Sequence, residues 1–412
     1  KKGTMPVWRA SNNMSFSKSI LCTLGPASLT PDVIQRLGDM KVDLFRLNLS
    51  HTPVEKIPEF VDLIRANSDV PICLDSQGAQ IRTGTLPNWT MDLVSGTTVQ
   101  LTGDSAPRNL DVLPVYPSDV LEQLMVGDLI SVDVDNLPLS VIEVGAVVRA
   151  RVLDSGTVGS NKAMSVDRHI ELPALTDQDR AAFALVSELG IDQIALSFAN
   201  RRSDIQSLRE IVPSNVRIIA KIESRLGLEN LEEILIAADA ILIDRGDMAK
   251  EVPIENVPFV QKEVIRQANE ARVPVYVATN LLESMVVNPR PTRAEANDVV
   301  NTLMDGADGL VLAAETAVGN FPVGCVSMVR SLINRHSAHV TAPKGQHSWD
   351  QGPVGVSSNL ILPHGGRLVR RILSGYDRKD FSGLPRLEID ERQMLDIRQI
   401  ALGSYSPLEG FM

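Results

Sequence analysis

The sequence predicts an α/β fold, a (β/α)8 barrel with a second, smaller β-domain inserted into it. Eight short apolar runs, at residues 20–24, 42–47, 70–74, 193–198, 216–222, 240–243, 273–278 and 309–313, alternate with amphipathic helical patterns. Regular strand–helix alternation implies a parallel sheet with right-handed crossovers, and eight such units close a barrel of the TIM type. The rhythm breaks between the third and fourth runs, where residues 85–191 are mostly not helical.

Taken in order, the runs share a habit of ending in polar residues. The first carries Cys22 in an otherwise apolar stretch, and the second ends with Arg46, Asn48 and Ser50 at alternating positions. Asp75 and Ser76 follow the third, with Arg82 soon after. The interval that follows contains short alternating runs at 110–115, 129–134, 139–144 and 147–153, with turn residues between them, the pattern of an all-β unit. Such a unit would hang from the C-terminal face of the barrel and act as a lid. Helical spacing resumes at 176–190, and the fourth run ends at Ser197.

The fifth run, RIIAKIE, delivers Lys221 and Glu223 two residues apart, so that an ammonium and a carboxylate share one strand face. Leu228, Leu231, Ile234 and Leu235 then form a helical stripe. The sixth run ends with Asp244 and Asp247, and Phe259, Val260, Val264 and Ile265 form the next stripe. Thr279 ends the seventh run, Thr292 and Glu295 read as a capping box rather than as ligands, and Glu315 and Thr316 end the eighth. After a helix at 323–336, residues 341–358 are rich in Pro, Gly, Ser and Gln and read as a linker. The expected division is a barrel at 16–86 and 170–338, an inserted β-domain at 87–169, a linker at 339–358 and a separate C-terminal segment at 359–412.

Composition narrows the function classes. With 412 residues, 44% hydrophobic and 22% charged, the chain can bury a sizeable core. A net charge of −11 argues against nucleic-acid or anionic-membrane partners, so any anion site must be a local basic pocket. The cysteines, Cys22, Cys73 and Cys325, are isolated and read as small buried hydrophobes in a reducing compartment. No apolar run is long enough to span a membrane and no signal peptide is apparent, so a cytoplasmic location is expected.

In a barrel, the polar strand ends converge on one mouth. Arg46, Arg82 and Lys221 meeting several carboxylates there suit a divalent cation bridging a phosphate or carboxylate ligand. Each residue also has a plainer reading. Lys221 and Glu223 would make a structural ion pair, Asp247 would cap the next turn, and the arginines would form rim salt bridges. His51 and His169 stand alone, so zinc chemistry is not expected. The segment 156–162, GTVGSNK, is loosely similar to a glycine-rich phosphate loop, and its Lys162 would reach a phosphate if the lid closed.

At the level of motifs the chain resembles pyruvate kinases. CTLGPAS (22–28), FRLNLSH (45–51), LDSQGAQIRTG (74–84), KIES (221–224), DRGDMAKEVP (244–253), ATNLLESM (278–285), NPRPTRAEANDV (288–299) and DGADGLVLAAETAVGNFP (305–322) occur in family order. The resemblance implies the barrel and lid, without the family's usual C-terminal effector domain. It implies that Glu223 and Asp247 hold Mg2+ or Mn2+, and that Lys221 and Arg46 contact the phosphoryl group. Asn48, Ser50, Asp75 and Ser76 would surround a monovalent ion such as K+. Arg82, Lys162 and His51 fall on the nucleotide side. The Gly246 and Asp247 amides, with the Thr279 hydroxyl, would take the pyruvate carboxylate, and Thr279 would help organise protonation of the enolate. Lys221→Met is expected to abolish turnover while leaving the fold largely intact. A homo-oligomer, a dimer through the barrel, is also expected.

The departures cluster on the nucleotide side. The family's Thr-Lys-Gly-Pro-Glu is here Ser76-Gln-Gly-Ala-Gln80, and Gln80 replaces a glutamate whose charge tracks K+ dependence. Ala313-Ala314 replaces Ser-Gly, Val318 replaces a lysine, the aromatic after His51 is missing, and the lid's Asp-Asp-Gly becomes Asp133-Val-Asp135. The tail, LILPHGGRLVRRI (360–372) and LEIDERQMLDIRQIALGSYSPLEGFM (387–412), resembles the start of ATP sulfurylase in its PUA-like domain. Together these resemblances imply a phosphotransferase acting on phosphoenolpyruvate and a nucleotide, fused to the beginning of a sulfate-activating enzyme. The alternatives are a regulatory phosphoenolpyruvate- or pyruvate-binding module for that enzyme, or an enolpyruvate enzyme redirected to sulfur metabolism.

Overall fold

The computed structural model describes residues 18–341, apart from 79, 87, 104–111, 133–136 and 169. His169, Asp133, Asp135 and the C-terminal segment therefore lie outside the described residues. Eight parallel strands close a barrel in the order expected: Ser19–Leu24, Leu44–Asn48, Ile72–Asp75, Gln193–Leu196, Arg217–Ile222, Ala240–Asp244, Val275–Ala278 and Gly309–Leu312. The first strand pairs with both the second and the last, which seals the cylinder.

Strand alternation sorts each run between two cores. In the fifth strand Ile218, Ala220 and Ile222 face the surrounding helices, whereas Ile219 joins Leu21, Leu44, Cys73, Ala195, Leu242 and Val311 inside the barrel. A step of two from these interior residues reaches Thr23, Arg46, Asp75, Ser197, Lys221 and Asp244, and on the last strand Ala313. The apolar floor thus dictates which side chains stand above it at the mouth. The cysteines are free and buried, and burial pushes their thiols up, Cys325 to about 12.

The helices follow their stripes with one exception. Leu231, Ile234 and Leu235 are buried as expected. On the helix Val257–Ala271, however, the buried face is Val257, Gln261, Val264, Ile265 and Ala268, and Phe259 is 71% exposed. The helix is rotated so that Gln261 takes an inward position, where it accepts a hydrogen bond from Arg245 and donates one to Thr302. Thr292 and Glu295 form the expected capping box.

The insertion is a second closed barrel built from Ile81–Thr83, Thr98–Thr102, Val112–Tyr116, Leu129–Val132, Leu137–Glu143, Val148–Val152 and Ala163–Val166. It packs around Leu113, Ile130, Val132, Leu139, Ala150 and Val152. Its sheet begins earlier than position 87, because Ile81–Thr83 pairs with Ala163–Val166 and Val112–Tyr116 instead of extending the large barrel. Arg82 therefore belongs to the small barrel. Among the described residues, no helix is long and apolar enough to cross a membrane.

Two devices fix the passage between the barrels. Gly78 has φ +76°, and a Cβ there would lie 2.5 Å from the Ser197 Cβ, so both conformation and space require glycine. Asp179, in the capping box that opens Asp177–Ala184, accepts hydrogen bonds from the Gln77 amide (2.6 Å) and the Gly78 amide (3.1 Å). The outgoing and returning crossovers are thereby fastened together.

Candidate active site at the barrel mouth

A cavity of about 240 Å3 opens at the C-terminal mouth, between barrel and insertion. Arg46, Asn48, Ser50, His51, Asp75, Ser76, Arg82, Lys221 and Asp247 all line it, with Asp244, Gln77, Gln80 and Lys250. The strand ends thus converge as the pattern requires, and Arg82 comes down from the small barrel.

Lys221 is the centre of the arrangement. Its ammonium lies 2.5 Å from Glu223, 3.4 Å from Asp244 and 3.6 Å from Asp75, and donates to the Ser197 hydroxyl at 3.1 Å. Burial works to strip its proton, but the three carboxylates outweigh burial and hold its pKa above the ordinary lysine value. Arg46 donates from Nε to Thr23 Oγ1 at 2.9 Å and pairs with Asp75 at 3.1 Å. Two buried cations thus serve three buried carboxylates: Asp75, Glu223 and Asp244. The surplus negative charge falls on Glu223, which is fully buried and whose pKa burial pushes up to about 8. Glu223 Oε2 accepts from the Phe198 amide, and Oε1 lies against the Lys221 ammonium.

That surplus of negative charge bears on metal binding. Glu223, Asp244 and Asp247 each offer a carboxylate oxygen, and the three lie within 4.8 Å of one another. An all-oxygen, carboxylate-rich set with excess negative charge fits Mg2+ or Mn2+. Asp244 was visible in the sequence only as a polar residue after a strand. Its participation follows from the inward register of Ala240 and Leu242, a signal the alternation already contained.

Asp244 also organises the neighbouring strand end. It accepts from the Thr279 hydroxyl at 2.5 Å and from the Gly246 amide at 3.3 Å, capping the helix Arg245–Glu251. The cap is therefore Asp244, not Asp247, which instead pairs with Lys250 at 2.6 Å. A Cβ at Gly246 would meet the Thr279 methyl at 2.8 Å, so the helix can approach the seventh strand only with glycine there. Thr279 has φ +77° and Phe198 φ +50°. Left-handed backbone at non-glycine residues is costly and concentrates where side chains must be aimed.

Other expected residues take different places. Lys162 does not line the cavity; its aliphatic chain packs over Gly159. Asn48 Oδ1 accepts from the Ser50 amide, and the Ser76 hydroxyl accepts from the Ser197 amide, so two of the four monovalent-ion candidates hold the loops in shape. Glu315 accepts from the Leu282 and Ala313 amides, and Thr316 donates to the Thr23 carbonyl, so both serve the framework.

A (β/α)8 barrel with a cation-and-carboxylate cavity under an inserted β-barrel defines a class suited to binding phosphorylated anions. Residues 16–326 match the family model described as pyruvate kinase, barrel domain, and the chain belongs to that family. Residues 361–412 match a PUA-like domain. The chain is 35% identical over 329 residues to a pyruvate kinase of Bacillus licheniformis, covering 77% of this chain and 56% of that one. It is 36% identical over 341 residues to a pyruvate kinase of Methylorubrum extorquens, covering 80% and 71%. With a pyruvate kinase of Mycobacterium tuberculosis it shares 36% identity over 373 residues, covering 88% and 79%. Of relatives such as the Bacillus licheniformis protein, the chain spans little more than half the length.

Proposed function

We propose that the chain transfers a phosphoryl group between phosphoenolpyruvate and a nucleoside diphosphate. The observation that carries this reading is Lys221, buried among carboxylates at the base of a cavity that also presents Arg46 and Arg82. Phosphoryl transfer is mainly positioning and charge neutralisation, and this site supplies both. Glu223 and Asp247, joined by Asp244, would hold Mg2+ or Mn2+, which when bound neutralises charge on the phosphoryl oxygens. Arg46 and Lys221 bind the phosphoryl group, Lys221 exchanging a carboxylate partner for a phosphoryl oxygen. The Gly246 and Asp247 amides and the Thr279 hydroxyl receive the pyruvate carboxylate. Arg82 and His51 face the nucleotide, with Lys162 joining them if the small barrel closes. Asn48, Ser50, Asp75 and Ser76 would take K+, with Gln80 leaving that site one negative charge short of the family pattern.

The test is a coupled assay of the purified chain with Mg2+, K+ and a panel of nucleoside diphosphates. Turnover with at least one of them is expected, and no turnover with any, from folded protein, overturns the reading. The placement of Lys162 off the cavity favours one second reading, a module that binds phosphoenolpyruvate, pyruvate or oxalate without transfer. Calorimetry with oxalate and Mg2+ separates the two when compared with turnover. We further propose that the PUA-like segment is the start of a sulfate-activating enzyme and that the barrel works beside it. A homodimer through the barrel completes the reading.

A further inference from the structure

The mouth holds a lysine to which the phosphoryl-transfer reading gives no role. Lys250 lines the same cavity as Arg46, Arg82 and Lys221, and its ammonium lies 2.6 Å from Asp247 Oδ1. All three clustered carboxylates therefore carry a lysine: Lys221 serves Glu223 and Asp244, and Lys250 serves Asp247.

The two lysines differ in freedom. Lys221 is 6% exposed and held by Ser197 at the base of the cavity. Lys250 is 40% exposed on the last turn of a short helix, and Asp247 is 28% exposed. An ammonium on a flexible four-carbon stem is easily moved at such a place. We propose that Lys250 is a displaceable internal cation, occupying Asp247 until a divalent ion takes the carboxylate and then presenting its ammonium to the anionic ligand in the cavity. This rests on the divalent-ion reading above.

Two consequences follow from electrostatics. A divalent ion competes with an ammonium for Asp247, so the lysine weakens metal binding. Once released, the same charge stays within the cavity and favours an anion beside the metal. Lys250 thereby couples metal and anion occupancy, acting as a positioning residue.

Mn2+ alone is titrated into the full chain, with the free ion followed by its electron paramagnetic resonance signal. K250M is expected to bind Mn2+ about three- to fivefold more tightly, the size that a half-exposed ion pair carries. K250R, which keeps the charge, stays within about twofold of the parent by the same argument. K262M, which breaks the Lys262–Asp305 pair outside the cavity, leaves Mn2+ affinity unchanged. With Mn2+ saturating, K250M is expected to bind inorganic phosphate more weakly by a similar factor. Unchanged Mn2+ affinity in folded K250M overturns the proposal, as does tighter Mn2+ binding with unchanged phosphate affinity. If the parent chain binds no Mn2+, the divalent-ion reading falls together with this one.

Discussion

Replacing Lys221 by methionine removes an ammonium that lies within 4 Å of Glu223, Asp244 and Asp75. Breaking a buried ion pair from one side costs about 3–5 kcal/mol, because the partner charge is left without compensation. Arg46 still serves Asp75, and Glu223, with its pKa raised to about 8, is largely protonated near neutral pH, so the loss falls mainly on Asp244. For a large domain each kcal/mol lowers Tm by about 2–4 °C, which places the expected drop on the order of 10 °C near neutral pH. The fold is expected to survive this substitution, at reduced stability. The pH dependence has a definite sign. Glu223 has a folded pKa raised from 4.5 to about 8, so its contribution to stability is full below 4.5 and is lost as pH rises through about 8. Without Lys221 the carboxylates are pushed higher still, and protonation relieves them as pH falls. Thermal and urea unfolding of K221M and the parent at pH 7.5 and pH 5 tests this, with activity measured alongside. The stability gap should narrow at the lower pH, and phosphoryl transfer should be lost at both. A loss below about 1 kcal/mol at pH 7.5, or a gap indifferent to pH, would refute the charge accounting.

Two further outcomes follow from the same geometry. Gly78→Ala places a methyl 2.5 Å from the Ser197 Cβ at φ +76°, so a loss of about 1–3 kcal/mol and weakened phosphoenolpyruvate binding are expected, read by denaturant unfolding and by KM. In the small barrel, the hydrogen bond from Arg168 holds the Asp128 carboxyl below its ordinary value. Its contribution is present above the unfolded pKa near 3.8 and is lost as pH falls through the folded value. D128N should therefore abolish acid sensitivity assigned to this pair below about pH 4, measured by the amide resonances of the small barrel across an acid titration.

Much of the fold was legible because alternation in a parallel barrel leaves few choices. Each apolar run had to bury both faces, and the polar residue after it had to point into the mouth. The site was legible for the same reason, as Arg46, Asp75, Lys221 and Asp247 show. What was hidden depended on rotation and pairing. Nothing in the spacing of Phe259 and Val260 distinguishes them from the stripe that includes Gln261, because only the partners Arg245 and Thr302 make a buried glutamine acceptable. Arg82 sits on a strand of the small barrel and Lys162 immediately precedes its partner strand, yet Arg82 reaches the cavity and Lys162 packs over a glycine. That outcome depends on side-chain direction, which spacing does not encode. Asp244 needed its register against the barrel floor before it read as more than the end of a strand.

The fastening of Gln77 and Gly78 by Asp179 bears on how the chain reaches this state. The third and fourth barrel strands are direct neighbours, Cys73 opposite Gln193, although the whole small barrel lies between them in sequence. Closing a loop costs free energy that grows only logarithmically with its length, about 0.6 kcal/mol for each doubling. An insertion whose ends are already pinned side by side adds little beyond that. The large barrel can therefore complete its ring while the insertion is still unstructured, and the two cores can order separately.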